Sequence, residues 1–545
     1  MTTHPSVAER LARLTTDQRA AATAPPGPVL CVAPAGSGKT TTLVARIAWL
    51  IDGRSSPETI TAITFNTRAA HELAERLDGA LAPLAVEPGA VRVRTFHALG
   101  REILRDGGVD VTGLIDRASV CRELWPALED ADLARYDTAF SRLKLEFAVD
   151  AAIVAADPEA GPVALAFVEY EAALAARGAL DFDDLIRRAL ALLTERPSLL
   201  ATWRGRCANL LVDEVQDVDR SQLDLALLLA APANRIFLVG DDDQSIYGWR
   251  LADVRRILSI DERLPGLRRV DLEINHRCPV PVVERAVRLI ERSQERFVKT
   301  IRSRPDSVGS VILAPDAADG PERADRILRS WPDDGSSRAF LARTNRELQP
   351  PVVAALRLGI AFRADRVTLL VDEPGLDDLL ARVAVETDPA LPLLVRLGRL
   401  RDTATGAAAQ PPLDPLLEAA VAWAPTWPDL PSLVAAIDDV RARLAVLRRD
   451  DAALTMATAH STKGLEFDHV AVVGMEEGRF PSGRSVAEAE DPVRALEEER
   501  RLGYVAWTRA RRTLTLSYDP AVPSPFLLEA FSPDELGLAV TPSRG

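Results

Sequence analysis

The segment that most restricts the fold is a glycine-containing loop between an apolar run and an amphipathic run. PVLCV, APAGSGKT and TTLVARIAWL follow one another from position 28. PVLCV is typical of a buried strand, and the last run has the spacing of a helix. Glycines let main-chain N–H groups close around phosphates, the lysine adds positive charge, and the following hydroxyl can bind Mg²⁺. This order predicts an α/β fold with a nucleotide-binding P-loop formed by Ala33, Pro34, Ala35, Gly36, Ser37, Gly38, Lys39 and Thr40.

The glycine pattern of this loop is incomplete, because Ala33 stands where a P-loop usually begins with glycine. A chance match in a glycine-poor loop is the alternative. The correct order of strand, loop and helix favours the nucleotide site.

Length and composition limit the class of protein. A chain of 545 residues predicts two to four domains. It has no long apolar run and no charged-then-apolar leader, so we expect no membrane segment and a cytoplasmic location. The cysteines lie far apart, which indicates neither a disulfide framework nor a metal cluster. The net charge of −14 argues against a protein that coats nucleic acid, but it allows a local basic groove.

A second motif, NLLVDEVQD, places two acids at the end of an apolar run. Asp213 is placed to hold Mg²⁺, and Glu214 to orient and deprotonate a water that attacks the γ-phosphate. Adjacent acids also occur at solvated strand ends, which is the alternative. Together with the P-loop, the pair predicts nucleotide hydrolysis.

A third apolar run, RIFLVG, leads into DDDQSIYGWR. Gln244 could sense the γ-phosphate, while Tyr247, Trp249 and Arg250 form an aromatic and cationic group. Aromatic side chains at a strand end can stack on nucleic acid bases in any sequence. They can equally be packing residues of a core, and both interpretations stay open at this point.

The motifs, in this order, resemble those of the UvrD/Rep/PcrA group of superfamily-1 DNA helicases over nearly the whole chain. LTTDQRAA resembles the adenine-reading motif, with Gln18 as the reader. TFNTRAAHELAERL and RTFHALG resemble segments that contact DNA, which implies DNA contacts for Phe65, Thr95, Phe96 and His97. LEINHRCP resembles the motif that offers Arg277 to the γ-phosphate, although a surface ion pair is the alternative for this arginine.

Two later motifs complete the resemblance. ATAHSTKGLEFDHVAVVGMEEGRFP implies that His460, Ser461 and Lys463 lie near DNA and that Glu466 lies near the ribose of ATP. EEERRLGYVAWTRARRTLTLSY places Arg509 at the position of the family's arginine finger.

The resemblance implies two RecA-like P-loop NTPase domains with parallel sheets, facing each other across the ATP site, plus helical inserted subdomains. The first motor domain would comprise 1–105 and 191–277, with an inserted subdomain at 106–190. The second would comprise 278–379 and 452–545, with a shortened insertion at 380–451.

The chain departs from the family at the base clamp and at this second insertion. Thr41 and His276 replace the arginine and tyrosine that sandwich the adenine, which predicts a weaker grip on ATP or a looser choice of nucleotide. The second insertion is helical by pattern, with proline-rich breaks near 411–415 and 425–431. A simple bridging bundle is one interpretation. The functional hypothesis is that a protein with so short an insertion translocates on single strands but unwinds duplexes poorly, or without autoinhibition, unless a partner helps.

The expected function is an ATP-dependent DNA helicase or translocase, moving 3′→5′ on single-stranded DNA in repair or recombination. Its cofactors would be ATP and Mg²⁺, and its partners single strands and single-strand/duplex junctions. An ATP-gated DNA-binding switch, or a subunit that needs a protein partner to unwind, is the alternative. An RNA-directed enzyme is a third option, since nothing in the sequence tests for a 2′-hydroxyl.

Overall fold

The structure is a computed structural model that describes residues 3–538 except 148, 150, 158, 318–319, 366, 368, 374, 406–416, 418–419 and 422–426. The chain divides into two compact units. The first comprises 1–307 with 494–504, and the second comprises 308–493 with 505–545. Both units contain a parallel sheet and flanking helices, so the predicted α/β class with two parallel sheets is confirmed.

The first unit contains a six-stranded sheet with the order β3-β2-β4-β5-β1-β6. Its strands are β1 Val29–Val32, β2 Ile60–Thr64, β3 Arg92–Thr95, β4 Asn209–Val212, β5 Ile236–Gly240 and β6 Arg268–Asp271. A small parallel pair follows, β7 Ile274–Asn275 with β8 Arg302–Ser303. Every pairing in the six-stranded sheet is parallel, so the carboxyl ends of its strands meet at one edge.

The inner strands β1, β2, β4 and β5 are buried on both faces, which explains their nearly continuous apolar sequences. In β1, Leu30 and Val32 pack into one hydrophobic cluster, while Val29 and Cys31 pack into another on the opposite side. The flanking helices are Pro5–Ala12, Thr16–Ala22, Lys39–Asp52, Thr67–Leu81, Phe96–Asp106, Asp184–Glu195, Pro197–Arg206, Arg220–Ala230, Arg255–Leu258, Ile260–Arg263 and Val280–Ile290.

A group of helices separates β3 from β4 in the sequence. It comprises Arg117–Leu124, Asp130–Ser141, Ala151–Ala156 and Pro162–Ala176, with a π-helical turn at Arg142–Glu146. The chain leaves this group at Asp181, whose Oδ2 accepts hydrogen bonds from Nζ of Lys144 at 2.8 Å and from Nη2 of Arg117 at 2.9 Å. The hydroxyl of Tyr170 donates to the same oxygen. This buried cluster fixes the chain next to Phe182.

The second unit contains a six-stranded sheet with the order β11-β12-β10-β13-β14-β9. Its strands are β9 Ser310–Pro315, β10 Arg338–Ala342, β11 Phe362–Arg363, β12 Leu454–Thr458, β13 Phe467–Val472 and β14 Ala510–Tyr518. Its helices include Pro321–Ser330, Gln349–Leu358, Gly483–Ala487 and Pro525–Ala530. Helix Pro492–Trp507 begins and ends in this unit, although its middle, 494–504, is assigned to the first unit.

Where the chain between β11 and β12 is described, it contains the helices Gly375–Glu386, Leu393–Thr405 and Leu430–Leu447. They share a separate hydrophobic cluster that includes Leu379, Leu397 and Leu433. The predicted helical character of the second insertion is thus present where the chain is described. The proline-rich break near 411–415, and residues 422–426 near the second break, lie outside the described residues. Among the described residues, no helix is long and apolar enough to cross a membrane.

Candidate nucleotide and DNA sites

The loop after β1 has the backbone geometry of a phosphate-binding loop. Gly36 and Gly38 adopt left-handed conformations, with φ of +69° and +84°. A Cβ on Gly36 would lie 2.7 Å from Oδ1 of Asn275, and one on Gly38 would lie 2.6 Å from Nε2 of Gln18. Both positions therefore exclude a side chain by backbone angle and by space. Helix Lys39–Asp52 starts directly after the loop, so its N-terminal N–H groups are available to an anion there.

Two carboxylates follow β4 at the same edge of the sheet. Nζ of Lys39 lies 3.6 Å from Oε1 of Glu214. The main-chain N–H of Glu214 donates to Oδ1 of Asp213 at 3.0 Å. Glu214 has φ of +53°, a left-handed conformation that non-glycine residues seldom adopt and that clusters at functional sites. The structure thus brings the P-loop lysine and one of the two predicted acids together, with the other acid adjacent.

A chain of hydrogen bonds joins Glu214 to Gln244. Nε2 of Gln216 donates to Oε2 of Glu214 at 2.6 Å, and Oε1 of Gln216 accepts from the main-chain N–H of Asp241 at 3.0 Å. Nε2 of Gln244 in turn donates to Oδ2 of Asp241 at 2.6 Å. Sequence reasoning missed Gln216, although the quoted motif NLLVDEVQD contains it. The network fixes both candidate catalytic side chains relative to the end of β5.

Asp241, Asp242 and Asp243 form an acidic triplet that surrounds a fully buried lysine, Lys299. Its Nζ lies 3.0 Å from Oδ1 of Asp241 and 2.9 Å from Oδ2 of Asp243, and it also bonds to Asp242. Burial lowers the pKa of this lysine, but the three carboxylates outweigh burial and raise it above its usual range. Arg296 donates two hydrogen bonds to Asp243, at 2.9 and 2.8 Å.

Neither cation was identified from the sequence. Three consecutive buried acids require counter-ions, so the run DDD was the available signal, but a sequence does not show which distant cations supply them. The pKa of Asp242 is raised to about 6, chiefly by burial; Lys299 lowers it, whereas Asp243 and Asp241 add to the rise.

The predicted adenine-contacting residues lie beside the P-loop. Gln18 is buried, and its amide is engaged at both ends, since Nε2 donates to the carbonyl of Ser37 at 2.7 Å and Oε1 accepts from the N–H of Thr15 at 3.1 Å. The N–H of His276 donates to the carbonyl of Gly36 at 2.8 Å. Burial and the nearby charge of Arg304 lower the pKa of the His276 ring.

Two further residues complete this group. Thr41 is exposed in the first turn of its helix. The N–H of Arg277 donates to Oδ1 of Asn275 at 2.8 Å, and a Cβ on Gly36 would lie 2.8 Å from Cβ of Arg277. The main chain and Cβ of Arg277 therefore lie against the P-loop.

Three predicted DNA-binding aromatic residues form one cluster in the first unit. The rings of Phe65 and Tyr247 are stacked, with centroids 5.1 Å apart and an interplanar angle of 11°. Trp249 packs edge-on against Tyr247 at 6.2 Å, and the guanidinium of Arg250 lies 4.6 Å from the Trp249 ring centroid. Trp249 is 58% exposed. A large exposed indole next to a cation suits base stacking, so the interpretation of Trp249 as a core residue is wrong.

A second aromatic pair lies in the same unit. The rings of His97 and Phe182 are stacked with centroids 4.0 Å apart, and Phe182 is 58% exposed. Burial lowers the pKa of His97 to about 4, which leaves the ring neutral near pH 7. Thr95 caps the next helix by accepting a hydrogen bond from the N–H of Ala98.

Phe96 differs from its neighbours, because it is 4% exposed and packs in the hydrophobic core. It therefore offers no surface for DNA. Sequence reasoning missed Phe182, because the exposure of its ring appears only in the fold.

In the second unit, the predicted residues follow β12 and the end of helix Pro492–Trp507. His460 and Ser461 lie in the 3₁₀ turn Ala459–Thr462, with Lys463 directly after it. Burial, followed by the charge of Arg343, lowers the pKa of His460 to about 4. The hydroxyl of Ser461 donates to the carbonyl of Thr458 at 2.8 Å.

The remaining two predicted residues of this unit are held by local bonds. Nε and Nη1 of Arg509 donate to the carbonyls of Val505 at 2.8 Å and Leu465 at 3.1 Å. Glu466 forms an ion pair with Arg511.

The fold and these sites define a P-loop nucleotide hydrolase with two parallel sheets and an exposed aromatic surface in the P-loop unit. Matches to two domain families identify the kind of nucleotide hydrolase. Residues 14–265 match the UvrD/REP helicase N-terminal domain, and residues 441–520 match the UvrD-like helicase C-terminal domain.

The chain is 31% identical to the ATP-dependent DNA helicase UvrD2 of Mycobacterium tuberculosis strain H37Rv, over 93% of this chain and 79% of that protein. It is 28% identical to DNA helicase II of Escherichia coli K12, over 92% of this chain and 84% of that protein. DNA helicase II of Rickettsia typhi is 26% identical over 93% of this chain and 92% of its own length. The chain belongs to the UvrD/Rep family of superfamily-1 helicases and is an ATP-hydrolysing DNA helicase.

Proposed function

We propose that this helicase translocates 3′→5′ along single-stranded DNA and acts in repair or recombination. One observation supports the proposal that the protein is a DNA motor. The segment from Asp241 to Arg250 holds the candidate γ-phosphate sensor Gln244 at one end and the exposed Trp249 at the other. A change in the nucleotide site would thus need to pass along only a few residues to reach a bound base. Polarity and pathway rest on the family resemblance.

The proposed catalytic roles follow the geometry after β1 and β4. Lys39 binds the β- and γ-phosphates, Glu214 orients and deprotonates the attacking water, and Gln244 senses the γ-phosphate. Thr40 and Asp213 supply a hydroxyl and a carboxylate, oxygen donors that fit Mg²⁺ bound chiefly through phosphates and water. Among the described residues there is no cluster of three or more His, Cys, Asp or Glu that could hold a metal alone. Mg²⁺ bound together with ATP would supply charge neutralisation of the phosphates.

The remaining nucleotide contacts are proposed from the motif positions. Arg277 and Arg509 would stabilise the charge that develops on the γ-phosphate, a contribution of about 10³–10⁵ in rate for an arginine finger. Glu466 would bind the ribose. Gln18, with Thr41 and His276, would surround the base.

Most side chains proposed to contact DNA would stack on bases or form hydrogen bonds, and few of them are charged. Near neutral pH the ring of His460 is uncharged, because burial keeps its pKa near 4; it would bind DNA as a hydrogen-bonding or stacking group. Phe96 is left out because it is buried. The proposed DNA-contacting residues are Phe65, Thr95, His97, Phe182, Tyr247, Trp249 and Arg250 in the first unit, and His460, Ser461 and Lys463 in the second.

We further propose the domain boundaries stated above, with 106–190 and 380–451 as inserted subdomains. The compact units of the structure differ from these boundaries in that 278–307 and 494–504 belong to the first unit. Because the second insertion is short, we expect translocation without efficient unwinding of duplexes by the isolated chain. A protein partner would then activate unwinding at single-strand/duplex junctions, and the cytoplasm is the proposed location. Robust, processive unwinding by the isolated monomer would contradict this expectation.

The first experiment measures ATP hydrolysis with and without single-stranded DNA. We expect DNA to stimulate the wild type, Glu214→Gln to abolish hydrolysis, and Trp249→Ala to lose most of the stimulation. Phe147→Ala is the matched control, because Phe147 is also an aromatic residue that is 58% exposed in the first unit. Hydrolysis that is indifferent to DNA would favour a partner-gated switch.

The second experiment tests direction. Streptavidin is bound to the 3′ or the 5′ end of a single strand, and its displacement during ATP hydrolysis is followed. A 3′→5′ motor displaces streptavidin from the 5′ end only. Displacement from neither end, with intact DNA-stimulated hydrolysis, would favour the switch over the motor.

A further inference from the structure

Helix Pro492–Trp507 contains a segment, Arg494–Tyr504, that is assigned to the first unit although the flanking chain belongs to the second. The side chains of this segment bond to several loops of the first unit. Glu497, for example, accepts the main-chain N–H groups of Gln294 at 2.7 Å and Glu295 at 3.2 Å. The segment is therefore a fixed part of the first unit.

One contact of this segment lies at the base-stacking residues. Oε1 of Glu498 accepts the main-chain N–H of Gly248 at 3.0 Å, within the turn that carries Trp249. A Cβ on Gly248 would lie 2.4 Å from Oε2 of Glu498, so the carboxylate lies directly against the glycine. One turn earlier in the helix, Nη2 of Arg494 donates to Oδ1 of Asp253 at 2.9 Å. The helix thus holds both ends of the loop after Tyr247.

A carboxylate at this place has no role in binding the DNA backbone, because it repels phosphate. Its bond to the N–H of Gly248 gives it a different role. A hydrogen bond to a charged acceptor is stronger than one between neutral groups, and this one fixes the main chain next to the indole of Trp249.

The other end of the segment lies at the P-loop. Tyr504 is buried, and burial raises the pKa of its hydroxyl well above the usual value. The nearby carboxylates of Asp241 and Asp243 raise it further, whereas the main chain of Ala35, in the P-loop, lowers it. Glu498 and Tyr504 are six positions apart on one helix, about 9 Å along its axis. One rigid element therefore spans the distance from the P-loop to the base-stacking turn.

We propose that Glu498 is a positioning residue that holds the turn Gly248–Arg250 in its base-stacking conformation, and that the helix from Glu498 to Tyr504 links occupancy of the P-loop to that turn. The inference rests on the proposed function of a DNA-stimulated motor. It adds a second connection between the two sites, in parallel with the segment from Asp241 to Arg250.

The test compares two substitutions of one residue. Glu498→Gln keeps an oxygen acceptor of the same shape for the N–H of Gly248, whereas Glu498→Ala removes it. Glu9→Ala is the matched control, since Glu9 is an exposed helix glutamate of the first unit that pairs with Arg13. Binding of a fluorescent single-stranded oligonucleotide is measured by anisotropy, with and without a non-hydrolysable ATP analogue, and thermal unfolding checks the fold.

We expect Glu498→Ala to weaken DNA binding about tenfold, because it leaves the N–H without its charged acceptor. The factor by which the ATP analogue changes DNA affinity should fall towards one. Glu498→Gln should stay within about threefold of the wild type, given that most of the bond is retained. The Glu9→Ala control should bind as the wild type does.

A second variant approaches the contact from the other side. Gly248→Ala should displace the carboxylate and reproduce the loss seen for Glu498→Ala, which keeps the test decisive if that variant does not fold. Wild-type affinity and nucleotide response in both alanine variants would overturn the inference, as would equal losses in Glu498→Gln and Glu498→Ala. A wild type that binds no DNA would instead refute the proposed function.

Discussion

Asp219 is a buried carboxyl whose ionisation should lower the stability of the folded protein. It lies at the N-cap of helix Arg220–Ala230 and accepts the N–H of Gln222 at 2.9 Å. Its pKa is raised from 3.8 to about 7, chiefly by burial; this hydrogen bond acts in the opposite direction, and the nearby Asp183 adds to the rise. We predict that Asp219→Asn stabilises the protein at alkaline pH, because asparagine is an equally good cap and carries no charge.

The size and the sign of this effect on the free energy of unfolding follow from proton linkage. Below pH 3.8 the carboxyl is protonated in both states. Between 3.8 and about 7 the unfolded chain ionises while the folded protein keeps its proton, so stability falls as the pH rises. From about pH 5 to about pH 8, this group alone should remove about 2–3 kcal/mol from the free energy of unfolding. The substitution should remove that dependence.

Urea unfolding of the wild type and of Asp219→Asn, at several pH values between about 5 and 8, measures the difference. Asp116→Asn is the control, because Asp116 is an exposed N-cap that accepts the N–H of Ser119. It reports what the loss of one surface charge does at each pH. The wild type should lose stability relative to Asp219→Asn as the pH rises. Parallel profiles for these two proteins would refute the reasoning.

Two further predictions concern charge and base recognition. Lys299→Met should destabilise the protein by about 3–5 kcal/mol near pH 7, because it leaves three buried carboxylates without their shared cation. The loss should shrink towards pH 5 as the carboxylates protonate, and calorimetry that shows a pH-independent loss would contradict this. The wild type should discriminate ATP from GTP weakly, and Thr41→Arg with His276→Tyr should sharpen the KM ratio about 2–30-fold. Tight, strict use of ATP by the wild type would refute it.

The α/β class and the nucleotide site could be predicted because their determinants are local in sequence. The order of strand, loop and helix around Gly36 and Gly38 specifies a P-loop, and the left-handed angles at both glycines confirm the backbone requirement. The acids after β4 could be predicted because they directly follow an apolar run in the sequence. Parallel strands then direct their carboxyl ends to one edge of the sheet.

The ion pairs and hydrogen bonds that support the two sites could not be predicted, because they join segments that are distant in the sequence. Lys299 reaches the acidic triplet, and Glu498 reaches Gly248, across long stretches of sequence. Burial also could not be assigned residue by residue. The neighbours Phe96 and His97 differ in that Phe96 enters the core whereas His97 stacks on the exposed Phe182.

An acidic chain that binds DNA must gain affinity from something other than net charge, and this makes the salt dependence informative. The chain carries a net charge of −14, and burial keeps His97 and His460 neutral near pH 7 by lowering the pKa of each to about 4. Stacking on Trp249 does not release counter-ions, whereas each neutralised phosphate of a single strand contributes about −0.7 to the slope of log K against log salt.

We therefore expect a shallow slope, between about −1 and −3, for binding to single-stranded DNA. We expect Arg250, the cation beside Trp249, to neutralise one phosphate, so Arg250→Gln should reduce the magnitude of the slope by about 0.7. Trp249→Ala should weaken binding by about 1–3 kcal/mol at every salt concentration and leave the slope unchanged. Anisotropy titrations over a range of salt concentrations separate the two effects. A slope steeper than about −5 would mean that phosphate contacts, and not the aromatic surface, provide most of the affinity.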